Sequence, residues 1–349
     1  MQQYDYILVG QGISGTMLSW FLQKAGQRVL VYDDARPATA SRIASGIINP
    51  VSGRKFELAW LYETIYPIAA QTYREMETAL GITCFQERDI WNVWPSAQMR
   101  DAFTVAVKKS PVLEATPLMM QQEAPRHTDT LFQPFGAGIV KGANVRLNAL
   151  LPAWRERLHL REERFNADEM VFTGEGVRYR DVNAKAVIFC EGVESPANPY
   201  FGKLKFLPNK GEALIIRAAL HTDNIIKKGI TLVPLDSDLY WAGATFSWDY
   251  ADAAPTAEKR AVIEEDLRQL LKISYTTEAH LSAIRPSGPD RRPLVGMHPR
   301  FPQAGIFNGM GSKGCSLAPW AAQQFVRYLL EGATLPAEID IKRYFNALR

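Results

Sequence analysis

The sequence predicts an α/β protein in which a Rossmann-like domain interleaves with a second, β-rich α+β domain. Three observations predict it. A short apolar strand at the start runs directly into a glycine-rich turn and a helix. A second apolar strand follows and ends in aspartate. Farther along, βα material alternates with β-rich stretches, so each domain returns more than once.

Tyr4-Asp5-Tyr6-Ile7-Leu8-Val9 reads as the first buried strand and Thr16 to Ala25 as an amphipathic helix. Between them, Gly10-Gln11-Gly12-Ile13-Ser14-Gly15 has the G-x-G-x-x-G spacing in the strand–turn–helix context that gives it meaning. Gly10 permits the tight turn, Gly12 lets a pyrophosphate approach the backbone, and Gly15 lets the helix pack on the strand. The helix start, with Ile13 and Ser14, offers unpaired N–H groups to phosphates. Gly26-Gln27-Arg28 then reads as a turn and Val29 to Tyr32 as the second strand. Asp33 ends it, eighteen residues after Gly15, with Asp34 beside it. A carboxylate there accepts hydrogen bonds from ribose hydroxyls and disfavours a 2′-phosphate. Together these features predict an adenine dinucleotide site; a glycine-rich turn in some other α/β protein would not explain Asp33.

At 349 residues the chain has room for about two domains. Its hydrophobic fraction of 47% is that of a soluble globular protein. No apolar run is long enough to span a membrane, and the glycine motif begins too early to leave room for a signal peptide. The cytoplasm is therefore the expected compartment. Cys84, Cys190 and Cys315 are odd in number and widely spaced, which argues against a disulfide framework and against a C-x-x-C site. The five histidines form no metal-ligand spacing, so no metal is expected. The net charge of +3 is mild, and the basic stretch Arg155 to Arg164 reads as a solvated face.

Residues 35–56 read as an extended loop, Glu57 to Leu80 as a helix, Cys84 to Trp94 as a strand and 95–135 as mixed short segments. Asn144 to Leu158 reads as a helix. Met170 to Tyr179 reads as a hairpin around Thr173-Gly174-Glu175-Gly176, and Ala186 to Cys190 as a buried strand entering Glu191-Gly192. Several strands follow over 204–246, among them Leu239 to Phe246. Thr256 fits a helix N-cap. Ile306-Phe307-Asn308 precedes a second glycine cluster, and Ser316 to Leu330 reads as the last helix. The predicted division is 1–85, 140–205 and 285–349 for the nucleotide-binding domain, with 86–139 and 206–284 for the substrate domain. The ligand is expected in the crevice between them.

Four further segments carry a family resemblance. Ser41-Arg42-Ile43-Ala44-Ser45-Gly46-Ile47-Ile48-Asn49-Pro50 resembles the second flavin-contacting loop of the D-amino-acid oxidase/glycine oxidase superfamily. Asn209-Lys210-Gly211-Glu212 resembles the strand entry to its substrate domain. Arg285-Pro286 with Asp290, Pro293 and Gly296 resembles its RP-x-x-x-D-x-x-P-x-x-G signature. Gly309-Met310-Gly311-Ser312-Lys313-Gly314 resembles its closing flavin loop. The matches run in family order over nearly the whole chain.

The resemblance implies a GR2-type FAD-binding domain. It implies FAD contacts from Arg42, Ala44, Ser45, Gly46 and Ile48, from Phe165 and Gly192, and from Arg285, Gly309, Gly311, Ser312, Lys313 and Gly314. Ala283 and Ile284 stand where some relatives attach the flavin through cysteine, so non-covalent FAD is expected. The implied reaction oxidises a C–N bond: hydride passes from carbon to flavin N5, the imine hydrolyses, and O2 takes the electrons. Arg285 matches the position that grips the substrate carboxylate; the competing reading is a structural ion pair with Asp290. Loop 309–314 and the helix after it would stabilise negative charge on the flavin, with Lys313 either adding charge or facing solvent. Thr245 lies on a strand that in relatives runs near the substrate, and Tyr240, Trp241, Phe246 and Trp248 are either pocket or core.

The expected partner is a small carboxylated amine of the glycine, sarcosine or D-amino-acid type. The closing loop is also similar to the FAD-dependent half of the bacterial enzyme that trims a carboxymethyl group from wobble uridine. A tRNA-borne substrate is therefore the alternative, and the modest charge favours the small amine. A non-catalytic flavin-binding or electron-transfer protein would lack an Arg285-type residue. Asp33 serves NAD equally well, but the later motifs count against a nicotinamide enzyme. Oligomeric state is not legible in the sequence.

Overall fold

Parallel strands with both faces covered need unbroken apolar runs, and the first strand supplies one. Gln2–Val9 is exposed at its start and buried from Tyr6 to Val9. A computed structural model of the chain describes residues 1–113, 116–121 and 126–348. In it, Gln2–Val9 pairs in parallel with Val29–Tyr32 on one side and with Val182–Phe189 on the other. His159–Arg161 extends the parallel run at one edge and Ala304–Asn308 at the other. Leu294–Met297 and the hairpin Met170–Thr173/Gly176–Tyr179 complete an eight-stranded sheet. The helices Ile13–Lys24 and Gly314–Glu331 cover one face, with Leu8, Met17, Phe307 and Phe325 in the shared core. A second cluster containing Ile7, Val9, Phe165, Tyr179 and Phe189 fills the other face.

The second sheet has nine strands and is largely antiparallel. Its central order is Tyr275–Arg285, Asn209–Ala218, Leu239–Gly243, Ile230–Asp236, Ile225–Lys228, Phe85–Val93, Ala137–Val145. One face packs on the helix Ala257–Leu270 through Leu214, Ile216, Ile226, Leu232, Tyr240 and Ala242. That helix starts as predicted: Thr256 is the N-cap, and its side chain accepts from Lys259 N. The other face turns toward the first sheet.

The structure departs from the expectation in several places. The loop 35–56 contains a helical turn, Ala40–Ile43, and the short strand Ile47–Ile48, which pairs with 143–144 of Ala137–Val145. The helix expected from Glu57 begins at Tyr62, because Glu57–Leu58 pairs with Val51–Ser52. The helix expected over 144–158 spans Leu147–Arg155. The strand Ala137–Val145 crosses residue 140, the expected boundary, and lies wholly in the second sheet. Strand Leu239–Gly243 stops three residues before Phe246. Residues 114–115 and 122–125 of the expected mixed stretch lie outside the described residues.

Candidate active site

The glycine turn is fixed by backbone contacts that exclude side chains. Gly10 has φ +100°, its N–H donates to Tyr32 O at 2.7 Å, and a Cβ on it would stand 2.6 Å from Cys190 O. A Cβ on Gly15 would collide with Gly10 O, so the helix packs as close as the fingerprint requires. Gly12 caps Ile13–Lys24 without a side-chain bond, and the first-turn amides have no partner inside the helix. Ile13 N donates to Ser41 Oγ at 3.0 Å, which ties the second loop to this turn.

A cavity of about 1020 Å³ opens between the two sheets. Its size is at the upper end of ligand sites, which run to roughly 1,000 Å³. Gly10, Gly12, Ile13 and Ser14 line one end together with Asp33 and Asp34. Arg42, Ala44, Ser45 and Gly46 line the side, and among the described residues Arg42 has no ion pair. Phe165, Gly192, Gly311, Ser312 and Gly314 also line the cavity, and Gly314 packs on Ile13 so closely that a Cβ there would stand 2.9 Å from the Ile13 side chain. Gly15, Ile48, Gly309 and Thr245 stand behind the lining rather than in it, and Lys313 lies outside it, exposed. Gly15 and Gly309 hold close turns, and Ile48 is buried.

Asp33 is held firmly. Its Oδ2 accepts from Gln11 N at 2.8 Å; its Oδ1 accepts from Ala35 N at 3.0 Å and from Arg155 Nη1 at 2.8 Å. Arg155 is largely buried and also pairs with Glu162. Its place in a solvated basic stretch is therefore corrected: the helix Leu147–Arg155 delivers it to the dinucleotide end. Beyond Asp33, Arg36 bridges Asp34 and Glu194 at 3.0 and 2.8 Å. Glu191 lines the cavity there and accepts from Asn198 Nδ2 at 2.9 Å. Burial, with the Glu194 charge adding to it, pushes its carboxyl up to about 7 against the donation from Asn198. Phe165 stacks on Tyr179 at 4.1 Å, which fixes the backbone beside it.

At the opposite end, Arg285 ends its strand with the guanidinium over the neighbouring strand. A Cβ on Gly211 would run into that guanidinium, so the glycine of the 209–212 motif makes its seat. Arg285 Nη1 donates to Asn209 Oδ1 at 2.8 Å, and both terminal nitrogens reach Thr245 O at 3.5 and 3.4 Å. Burial pulls the guanidinium down from the usual arginine range. The competing pairing with Asp290 is absent: Asp290 binds Arg343 Nε at 3.0 Å and Arg292 N at 3.0 Å. Among the described residues Arg285 pairs with no carboxylate, which leaves a fork for an incoming one.

Thr245 faces away from the ligand, since its Oγ1 accepts from Glu212 N at 2.9 Å; its carbonyl is the part that reaches Arg285. Glu212 itself is buried on the far side of the strand with Lys210, His280 and Thr256. Trp241 lines the cavity and donates from Nε1 to Ile43 O at 3.0 Å, whereas Tyr240 is core. Phe246 and Trp248 are exposed and pack edge to face. Lys313 is exposed; partial burial and the charges of Arg292 and Arg291 pull its ammonium down. Its carbonyl caps Gly314–Glu331 by accepting from Ser316 and Leu317 N. Gly311 N donates to Pro286 O at 3.0 Å, joining the closing loop to the signature.

This geometry fits an adenine dinucleotide, the cofactor class that the glycine turn and Asp33 point to. A family model described as FAD dependent oxidoreductase (DAO) matches residues 5–328. The chain belongs to that family and is an FAD-dependent oxidoreductase. Its fold is similar to glycine oxidase from Geobacillus kaustophilus, at TM-score 0.76 and 18% identity over 99% of this chain and 98% of that one. Iminodiacetate oxidase (IdaA) from Chelativorans sp. BNC1 gives 0.74 and 18% over 97% and 98%. L-proline dehydrogenase from P. horikoshii gives 0.74 and 16% over 99% and 98%. Among the described residues no helix is long and apolar enough to cross a membrane.

Proposed function

We propose that the protein oxidises the C–N bond of a small carboxylated amine, with non-covalent FAD as the hydride acceptor and O2 as the final oxidant. The observation that carries this reading is the Arg285 guanidinium, which lines the cavity over Gly211 with neutral partners and, among the described residues, no carboxylate. A carboxylate held there is fixed in distance and angle by two parallel bonds. The chain's task is then to orient the amine and keep bulk water away from it. The start of Gly314–Glu331 supplies positive partial charge beside the glycine turn, where Gly314 packs on Ile13. Gly10, Gly12, Ser14 and Arg42 would hold the pyrophosphate and Asp33 the ribose. Ala283 lines the cavity where some relatives attach the flavin, consistent with a flavin that is not covalently bound.

A second reading places the amine on a nucleic acid such as tRNA. Arg291, Arg292 and Lys313 cluster beside the closing loop with no carboxylate partner among the described residues, and Arg292 lies 4.3 Å over Trp60. The test is anaerobic mixing of the FAD-loaded protein with glycine, sarcosine, D-amino acids and tRNA in turn. Bleaching of the visible flavin band by a free amine supports the first reading. Bleaching by tRNA alone, weakening steeply with salt, supports the second.

A further inference from the structure

Cross-strand register places one row of side chains on the cavity face of the second sheet. Ala213 pairs with Gly243, Gly243 with Thr231, Thr231 with Lys227, and Lys227 with Asn92. Partners in register share a face. Ala213, Gly243 and Thr231 line the cavity, and their small side chains leave a trough along the row. Lys227 stands next in line.

The alternation along its strand agrees. Ile226 packs toward the helix Ala257–Leu270, and Lys228 donates on that side to Phe132 O and Gln269 O at 2.9 and 2.8 Å. Ile225 packs on the cavity side, in one cluster with Ala213, Val233 and Trp241. Lys227 therefore shares the cavity side, flanked there by Thr231 and Asn92, with Thr231 the last of the row to line the cavity itself. Asn92, its register partner, is 5% exposed and donates to Ile90 O at 3.2 Å. Among the described residues the Lys227 side chain has no hydrogen bond and no ion pair, and burial lowers its proton affinity. A partly buried ammonium without a partner is costly, and the carbonyls that hold Lys228 lie on the other face of the strand.

We propose that Lys227, with Thr231 and Asn92, forms a second anion subsite that selects amines carrying a distal carboxylate besides the one held by Arg285. The proposal rests on the reading of Arg285 as the first carboxylate clamp. The Arg285 guanidinium lies over the Asn209–Ala218 strand, and Lys227 lies three strands away. At about 4.8 Å per strand, and with Gly211 two residues along from the Ala213 row, this is about 16 Å between backbones, shortened by the lysine stem. The trough thus suits a linear diacid rather than glycine itself.

The test uses FAD-loaded protein and ligands that cannot be oxidised. Linear dicarboxylates from malonate to suberate are titrated against chain-matched monocarboxylates, with perturbation of the visible flavin spectrum as readout. Dicarboxylate affinity is expected to pass through a maximum with length and there to exceed the matched monocarboxylate by about tenfold or more. Lys227→Gln should abolish that advantage and leave acetate binding unchanged; Lys227→Arg should keep most of it. Equal binding of matched pairs to wild type, or an advantage that survives Lys227→Gln, overturns the subsite while leaving the Arg285 clamp standing. If no carboxylate perturbs the spectrum, the clamp fails and the subsite with it. Should Lys227→Gln not fold, the wild-type length series and Lys227→Arg decide.

Discussion

Asn209 and Arg285 oppose each other on neighbouring antiparallel strands, and the Arg285 guanidinium donates to the Asn209 carboxamide at 2.8 Å. Asn209 Nδ2 in turn donates to Ser287 Oγ at 3.2 Å. This neutral partner orients the guanidinium without neutralising it.

Asn209→Asp would set a carboxylate against Arg285 and compete with the substrate's own. KM for a carboxylated amine should rise about tenfold to a hundredfold, the range of a lost charge-assisted bond, while kcat falls much less. Steady-state kinetics of the FAD-loaded variant check this split.

Gly211→Ala would drive a methyl into the guanidinium seat. The variant should bind FAD as wild type does, because residue 211 is remote from Asp33 and the glycine turn. Carboxylate-induced perturbation of the flavin spectrum should weaken about tenfold or more. Parallel titrations with FAD and with acetate separate the two effects.

Glu191 titrates high, at about 7, chiefly because it is buried. A folded-state pKa raised above the unfolded value means that folding retains a proton. The group's contribution is complete below about pH 4.3 and is lost as pH rises through about 7. Glu191→Gln should remove this loss and stabilise the apoprotein at pH 8 by on the order of 2 kcal/mol. Urea unfolding of wild type and variant at pH 5 and pH 8 measures it; the gain should appear at pH 8 and shrink at pH 5.

Cys84, Cys190 and Cys315 are all free and buried. Burial pushes the thiols of Cys84 and Cys315 up to about 12 and Cys190 higher still. None should react with an aromatic disulfide reagent in the native protein at pH 8, and all three should react in denaturant. A thiol count under both conditions checks this.

The sequence was most legible where the backbone itself is constrained. Gly10 and Gly15 were readable because only glycine fits there, and the end of the second strand because a carboxylate is needed at Asp33. The hairpin around Thr173–Gly176 was readable from its turn chemistry. Partnerships between distant segments were not. Asn209 and Arg285 are 76 residues apart, so a motif match marked both segments without showing that one seats and orients the other. Arg155 looked like a solvated face because its neighbours Glu156 and Arg157 are exposed, whereas its own guanidinium turns inward to Asp33. Thr245 was marked only by the family resemblance; its hydroxyl serves Glu212 and only its carbonyl faces Arg285. Lys227 carries no motif at all; only sheet register brings it beside Thr231.

The central claim is that Arg285 holds a substrate carboxylate within reach of FAD. It is tested most directly by anaerobic mixing of FAD-loaded wild type and Arg285→Ala with a confirmed carboxylated amine and its decarboxylated counterpart. The account predicts that wild type is bleached only by the carboxylated amine and that Arg285→Ala needs at least about tenfold more of it. Equal bleaching by both amines, or an Arg285→Ala variant with wild-type affinity and rate, would contradict the account.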